Sequence, residues 1–274
     1  LILSLSVSTI FTMLIATSYN IVDTYFVSDL GESSVAAVGI MFSVMALIQA
    51  VGYTWGMGAG SEIARLLGKQ KKREAEQTLA TALAGGILSG AVMAVIFAVF
   101  REDVVRLLGA TDTSLAPAGQ YGIYIMLAAP VMCGAYVLNN ALRAEGQPYL
   151  ALLGILAGGL SNALFDYILV RVLGLGIAGA GIATLAGQGI SLAIMYICVR
   201  SRCSVVRLHM SDVWSFRYGV RIVRTGLPSF LRQGLMCLAA VMISRSCRQY
   251  GDGAMAGVTV ANKIFAVIFA VLVG

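Results

Sequence analysis

The chain of 274 residues is 59% hydrophobic and 12% charged, and its mean hydropathy is +0.87. Soluble domains carry roughly 25% charged residues, so this composition excludes an ordinary soluble domain and predicts a multi-pass membrane protein. The formal net charge of +6 does not indicate a nucleic-acid partner, because the basic residues follow the loop pattern described below.

Apolar runs long enough to cross a bilayer recur along the chain. Six runs carry no charged residue: 1–22, 33–61, 77–100, 113–142, 146–165 and 172–199. Each reaches the roughly 20 residues that a membrane-spanning helix needs. Two further stretches, 225–247 and 254–274, are interrupted by Arg232 and Lys263. The sequence therefore predicts eight membrane-spanning helices. Since the chain begins and ends inside apolar runs, we expect it to be part of a longer protein.

Basic residues cluster in alternate loops between these spans. They follow the second span (Arg65, Lys69, Lys71, Lys72, Arg73), the fourth (Arg143) and the sixth (Arg200, Arg202, Arg207, Arg217, Arg221, Arg224). The opposite loops hold fewer basic residues, nearly balanced by acids. Because cytoplasmic loops carry the excess of Lys and Arg, we expect a cytoplasmic N-terminus in a bacterial inner-membrane protein.

A polar stretch and an internal repeat predict two lobes. The segment "LGESSVAAVGI" at 30–40 aligns without gaps to "YGDGAMAGVTV" at 250–260, at an offset of 220 residues. An even number of spans before the linker makes the repeat parallel rather than inverted. We predict a first six-helix lobe at 1–199, a cytoplasmic linker at 200–217 and the start of a second lobe at 218–274.

Two acids lie within or beside apolar runs near the predicted outer face. Asp23 follows the first run, and Asp166 stands in "LSNALFDYILV" of the fifth, with Asn162 four residues earlier on the same helical face. A charged residue at a helix centre costs at least roughly 2.5 kcal/mol, so such residues usually face the protein interior and serve function. The alternative is an interfacial carboxylate wetted by lipid headgroups. Weaker polar candidates are Asn20, Tyr121, Asn139 and Thr184.

Histidine and cysteine give no metal signal. The single histidine, His209, sits in a basic loop, and the five cysteines lack metal-ligand spacing. No metal site is therefore predicted beyond a cation held by oxygen atoms.

Four motifs, in order, carry a resemblance to a known family. "YNIVDTYFVSDLG" is followed by "GMGAGSEIARLLGKQKKREAEQ", "LRAEGQP" and "NALFDYILV" with "LGIAGAGIATLAGQ". This combination resembles the multidrug and toxic compound extrusion (MATE) family, bacterial branch, and extends over the whole chain. The resemblance implies an all-α fold of twelve helices in two six-helix lobes around a pseudo-two-fold axis. This chain would hold the N-terminal lobe and the first two helices of the second.

The resemblance also implies site residues. The family's cation or proton site falls on Asp23, Asn162, Asp166 and Thr184, with Asn20, Tyr121 and Asn139 as a supporting polar network; Na⁺ would bind at Asp23, Asn162 and Asp166. One departure concerns the proline that family members usually carry fifteen residues before the first-span aspartate. Ser8 stands there, whereas Pro228 occupies its repeat position in the seventh span. A second is that the repeat position of Asp23 is Ile243, which assigns ion coupling to the first lobe.

The expected function is secondary active antiport. Amphipathic, often cationic drugs would leave the cell in exchange for H⁺ or Na⁺, without a cofactor, through a monomer whose other partners are membrane lipids. One alternative is a flippase for a lipid-linked precursor, which a cavity lined by many arginines would favour; the sequence shows no buried basic cluster. Another is an intramembrane aspartyl protease, which needs a Gly-x-Gly-Asp helix that the membrane aspartates lack. An enzyme is therefore not expected.

Overall fold

The structure is an assembly of long helices. The computed structural model describes Tyr25, Val27 and residues 31–201, 205–206 and 215–273, and no strand occurs in that part of the chain. Its helices are α1 (Glu32–Gly68), α2 (Lys72–Val99), α3 (Arg101–Leu107), α4 (Leu115–Ala144), α5 (Pro148–Asp166), α6 (Gly176–Arg200), α7 (Phe216–Arg248) and α8 (Asp252–Val273). A π-helix, Tyr167–Val172, continues α5. The all-α prediction is confirmed.

Six of these helices are long and apolar enough to cross a membrane. They are α1, α2, α4, α5 with its π-helical continuation, α6 and α7, and they correspond to the second to seventh predicted spans. The first predicted span, 1–22, lies outside the described residues. The eighth coincides with α8, a helix of 22 residues. We call the end at which α4 and α6 begin the outer end, after the orientation that the loop charges predict.

Helix α1 extends beyond its predicted apolar run. The run ends before Glu62, yet the helix continues to Gly68. Glu62 is buried and accepts a hydrogen bond from Arg65 at 2.6 Å, and the guanidinium of Arg221 on α7 lies 3.9 Å away. Because these cations compensate the carboxylate, the charge does not end the helix.

Helix α1 is the central element of the bundle. It packs against α2, α4, α7 and α8, and 72% of its most apolar window is buried, against 11% for α7. Small residues permit the close approach, as is common between membrane helices. A Cβ on Gly58 would overlap the carbonyl oxygen of Ile222, and one on Gly226 would overlap the carbonyl oxygen of Thr54.

The crossing of α1 and α8 joins two positions that the repeat relates. A Cβ on Gly39 would overlap the hydroxyl oxygen of Thr259, which is 220 residues further along the chain. A two-fold axis between two repeats brings equivalent residues together, so this contact has the geometry that a parallel repeat requires. Pro228 lies inside α7, whereas Ser8 lies outside the described residues. The division at 1–199, 200–217 and 218–274 stays a prediction.

Candidate functional site

A polar cavity of about 320 Å³ lies among five helices, α1, α4, α5, α6 and α7. Four of them contribute residues at the three- and four-residue spacing of one helical face. The wall is formed by Gln49, Tyr53 and Met57 of α1, Ala135, Tyr136, Asn139, Asn140 and Arg143 of α4, Ile155, Gly158, Gly159 and Asn162 of α5, Thr184, Gly187, Gln188, Ser191 and Met195 of α6, and Arg232 of α7. Most of these side chains are polar, which is unusual inside a membrane bundle.

Three predicted site residues meet in this wall. Asn162 and Thr184 are buried, and Asn139 is half-buried. The Thr184 hydroxyl donates to the carbonyl oxygen of Ala180, 3.1 Å away in its own helix. The Asn139 amide nitrogen lies 4.0 Å from the sulfur of Met195. The predicted polar network is thus partly a single cluster.

Asn162 is the most informative of these residues. It is 5% exposed, and neither its amide oxygen nor its amide nitrogen has a hydrogen-bond partner among the described residues. Its position is fixed by close packing of α5 on α6, because a Cβ on Gly187 would lie 2.8 Å from both Asn162 Cβ and the Gly158 carbonyl oxygen. Unsatisfied buried polar groups are costly, so this amide is available to a ligand, an ion or water.

Asp166 and Tyr121 lie beyond the cavity wall, toward the outer end. Asp166 is one turn after Asn162 on the same face of α5, and both of its carboxylate oxygens are buried. Tyr121 is also fully buried, about 9 Å from the start of α4 at 1.5 Å per residue. By the same rise it is about 27 Å along α4 from Asn139. The predicted residues therefore form two layers, with Asn162 next to both.

The remaining predicted residues, Asn20 and Asp23, lie outside the described residues. The described part of the first span begins at Tyr25, whose ring centre is 5.6 Å from the guanidinium carbon of Arg171 in the π-helix after Asp166. Val27 is fully buried in a core cluster with residues of α1 and α4. The cation site at Asp23, Asn162, Asp166 and Thr184 remains a prediction.

A chain of hydrogen bonds crosses the cavity from α7 to α4. The Gln233 amide donates to the Gln49 side-chain oxygen at 2.7 Å, and the Gln49 amide donates to the Tyr136 hydroxyl at 3.3 Å. The rings of Tyr136 and Tyr53 pack with centroids 4.8 Å apart. The first helix beyond the linker is thereby bonded to the cavity wall of the six preceding ones.

The sequence analysis missed two cavity arginines. It placed Arg143 in a cytoplasmic loop, but Arg143 lies in the last turn of α4 and its side chain lines the cavity. Arg232 was noted only as an interruption of the seventh span. The signal was present in the polar run Tyr136, Asn139, Asn140 and Arg143, which repeats at helical spacing. The expectation of no buried basic cluster thus needs correction, because two arginines line the cavity and one is half-buried.

No metal cluster of conventional ligands appears in the described segments. They contain no group of three or more His, Cys, Asp or Glu side chains that could hold a metal ion. The predicted Na⁺ ligands are instead carboxylate and amide oxygens, the donor type that hard cations prefer.

The comparisons with known proteins agree with this geometry. The model of the MatE family matches residues 8–168, which is more than half of the chain. The chain belongs to the MatE family. MATE transporter structures share its fold, so the MATE-type fold is also confirmed, and the protein is a multi-pass membrane protein of this multidrug-efflux transporter family.

Relatives include a named multidrug exporter. The "Multidrug export protein MepA" of Staphylococcus saprophyticus is 24% identical over 253 residues, covering 92% of this chain and 56% of the relative. A solved MATE transporter of the MOP superfamily in an inward-facing conformation is 27% identical with a TM-score of 0.84, covering 97% of this chain and 64% of that one. The chain therefore spans about half to two thirds of the length of these relatives.

Another structural neighbour concerns binding-pocket charge. It is a MOP superfamily transporter from Pyrococcus furiosus whose title describes a reverse polarity of its binding pocket and suggests a different function. It is 27% identical, has a TM-score of 0.77, and covers 95% of this chain and 64% of its own. MATE-like folds are thus compatible with pockets of different charge.

Proposed function

We propose that the full-length transporter is a secondary active antiporter that exports amphipathic organic molecules, often cationic drugs, in exchange for H⁺ or Na⁺. The observation that carries the proposal is the pair Asn162 and Asp166, an unpartnered buried amide one turn from a buried carboxylate. Membership of a family of transporters supports it. A monomer in contact with membrane lipids stays our expectation.

The carboxylate supplies the coupling. A charged Asp166 with no bound cation is unfavourable inside a membrane bundle, and binding of H⁺ or Na⁺ neutralises it. If one packing of the helices holds the cation better than the other, binding shifts the equilibrium between them. The contact of Tyr25 with Arg171 supports a place for the end of the first span, and hence its acid, beside this layer.

Transport then requires α7 to move relative to α1. The two helices are joined by the Gln233–Gln49 hydrogen bond and by a bond from the Cys237 thiol to the Ser43 carbonyl oxygen at 3.2 Å. These contacts lie beside the cavity, so a change of access at the cavity alters them. Cation binding near Asp166 and substrate release from the cavity would be coupled in this way.

The test is transport by the full-length protein in proteoliposomes. A pH gradient and a Na⁺ gradient are imposed separately, and ethidium movement is followed by fluorescence. We expect one gradient to drive ethidium against its concentration difference, and collapse of that gradient to stop it. Movement that continues unchanged without either gradient would contradict antiport.

A lipid-linked precursor flippase is the second candidate. Arg143 and Arg232 in the cavity wall favour it, since phosphate groups are recognised by arginine. Fluorescently labelled lipid-linked pyrophosphate that changes leaflet only when the protein is present would support this function. The matched relatives are named as transporters, which leaves the intramembrane protease alternative without support.

A further inference from the structure

The cavity carries positive charge without a matching acid. Arg143 and Arg232 line it, whereas no Asp or Glu does among the lining residues that the structure describes. Arg143 is half-buried, with its Nε atom fully buried and lacking a hydrogen-bond partner in the described part of the chain. Such a guanidinium, with its donors unused beside hydrocarbon, is unfavourable unless an acceptor reaches it.

Other arginines of the described segments show how this protein normally compensates the charge. Arg65 binds Glu62 at 2.6 Å, Arg106 binds Asp112 at 3.2 Å, and Arg245 donates to the Leu107 carbonyl oxygen at 2.9 Å. Neither Arg143 nor Arg232 makes a hydrogen bond or ion pair with any residue that is described. The two cavity arginines are therefore different in kind from their neighbours.

The two guanidiniums act on the same part of the cavity. Both interact electrostatically with Tyr53 on α1, although one comes from α4 and the other from α7. Met57, Ile155 and Met195 add apolar surface to the same wall. A site with two convergent cations and adjacent apolar side chains matches a molecule that has an anionic group and an apolar body.

We infer that this cavity binds amphipathic organic anions, with a carboxylate or phosphate group held by Arg143 and Arg232. The inference rests on the proposed function and names the substrate class of its cavity. Guanidinium binds both anionic groups through paired N–H donors. Asn162, farther along the wall, offers an uncharged donor and acceptor to the rest of the molecule. The carboxylate of Asp166 lies beyond Asn162, outside the wall, and stays available for the coupling cation.

The test compares two dyes of opposite charge on one ring system. Fluorescein is an anion at neutral pH, and a rhodamine ester built on the same xanthene ring is a cation. Binding of each to the purified full-length transporter is measured by fluorescence anisotropy. The variants are Arg143→Gln, Arg232→Gln and the double substitution, with the exposed Arg217→Gln on α7 as the matched control.

We expect the wild type and Arg217→Gln to bind fluorescein alike. The double variant should bind it at least about tenfold more weakly, the loss expected for one or more charge-assisted hydrogen bonds, without weaker binding of the rhodamine ester. Arg232→Lys, which keeps the charge, should retain more fluorescein binding than Arg232→Gln, and thermal melting checks that each variant is folded. Equal fluorescein binding by wild type and folded double variant would overturn the inference.

A lipid arm identifies the source of the anionic group. Phosphatidylglycerol or phosphatidylcholine is added to the detergent micelles during the fluorescein measurement. Displacement by phosphatidylglycerol alone supports the anion site and assigns it to a lipid headgroup, whereas fluorescein binding that resists both lipids supports it and assigns a soluble anion. Displacement by both lipids alike would contradict charge recognition. Binding without gradient-driven transport would refute the antiport proposal and leave the anion site standing.

Discussion

At the residue scale, the site consists of side chains that differ in how they are satisfied. The Thr184 hydroxyl bonds to its own helix, and Gln49 bonds on both sides to Tyr136 and Gln233. Asn162 has no such partner in the described part of the chain. Residues of the first kind hold the bundle together, whereas an unsatisfied amide contributes nothing to folding that an apolar side chain of similar size would not.

Substitution of Asn162 by Leu should therefore separate stability from function. We expect the melting temperature of the full-length protein to stay unchanged or rise, because a buried unsatisfied amide costs about 1–3 kcal/mol, while gradient-driven efflux falls. Gln233→Leu is the matched control. It removes the 2.7 Å bond to Gln49 and should lower the melting temperature. A large loss of stability in Asn162→Leu would show that the amide has a structural role.

Asp23 is the predicted second carboxylate of the coupling site. Asp23→Asn keeps the shape of the side chain and removes its titratable charge. We therefore expect normal expression and normal drug binding but loss of efflux driven by a pH or Na⁺ gradient. Asp112→Asn, in an exposed loop, controls for the chemistry of the substitution. Efflux at the wild-type rate in Asp23→Asn would remove this residue from the mechanism.

Sequence predicted the polar residues of the α5 face but not the arginines. Asn162 and Asp166 were found because a carboxylate and an amide at helical spacing are costly in an apolar run. Arg143 was misplaced because a helix end cannot be located to within one or two residues from its sequence, and one turn decides between loop and cavity. The role of Arg232 depends on which face of α7 meets α1, a property of packing that no single helix encodes.

At the element scale, glycine notches set the distance between helices. Both α7 notches face the α1 backbone, at Thr54 and Gly58. The helix α7 has little buried apolar surface of its own, so close contact along this seam is a large part of what positions it. The spans themselves were predictable, because the length of an apolar run is a direct requirement of the bilayer. The seam was not, since glycine is abundant throughout the chain.

Gly226→Ala should weaken this seam. Its Cβ would lie 2.8 Å from the Thr54 carbonyl carbon and closer to the oxygen, so α7 must shift at a cost of about 1–3 kcal/mol. Gly234→Ala in the same helix meets no atom within 4 Å among the described residues and should be neutral or slightly stabilising. Thermal melting of the two variants makes the comparison. Equal melting temperatures would argue against tight α1–α7 packing.

At the scale of the whole molecule, the described helices provide one side of a larger assembly. Much of α7 is exposed, including Leu231, Leu235 and Leu238, and Arg232 projects from the same helix into the cavity. The matched relatives are longer than this chain. The cavity described here therefore corresponds to part of the binding chamber that we propose for the complete transporter.

Residues 1–274 expressed alone should not pump. Alternating access requires one lobe to move against the other around a shared site, and only the start of the predicted second lobe is present. The measurement is ethidium accumulation in cells that express this segment or the full-length protein at matched membrane levels, with empty cells as a control. Efflux by the segment equal to that of the full-length protein would show that the two-lobe division is wrong.

The contact between Gly39 and Thr259 has a consequence for how the two halves can diverge. Two identical halves would set the same residue against itself at this crossing, and two threonines would not fit where one already fills the space. Glycine on one side makes room for a hydroxyl on the other, and that hydroxyl donates to the Met255 carbonyl oxygen at 2.8 Å. The combined side-chain volume of the pair is therefore what is constrained. A substitution that enlarges one member requires a compensating reduction in its counterpart 220 residues away.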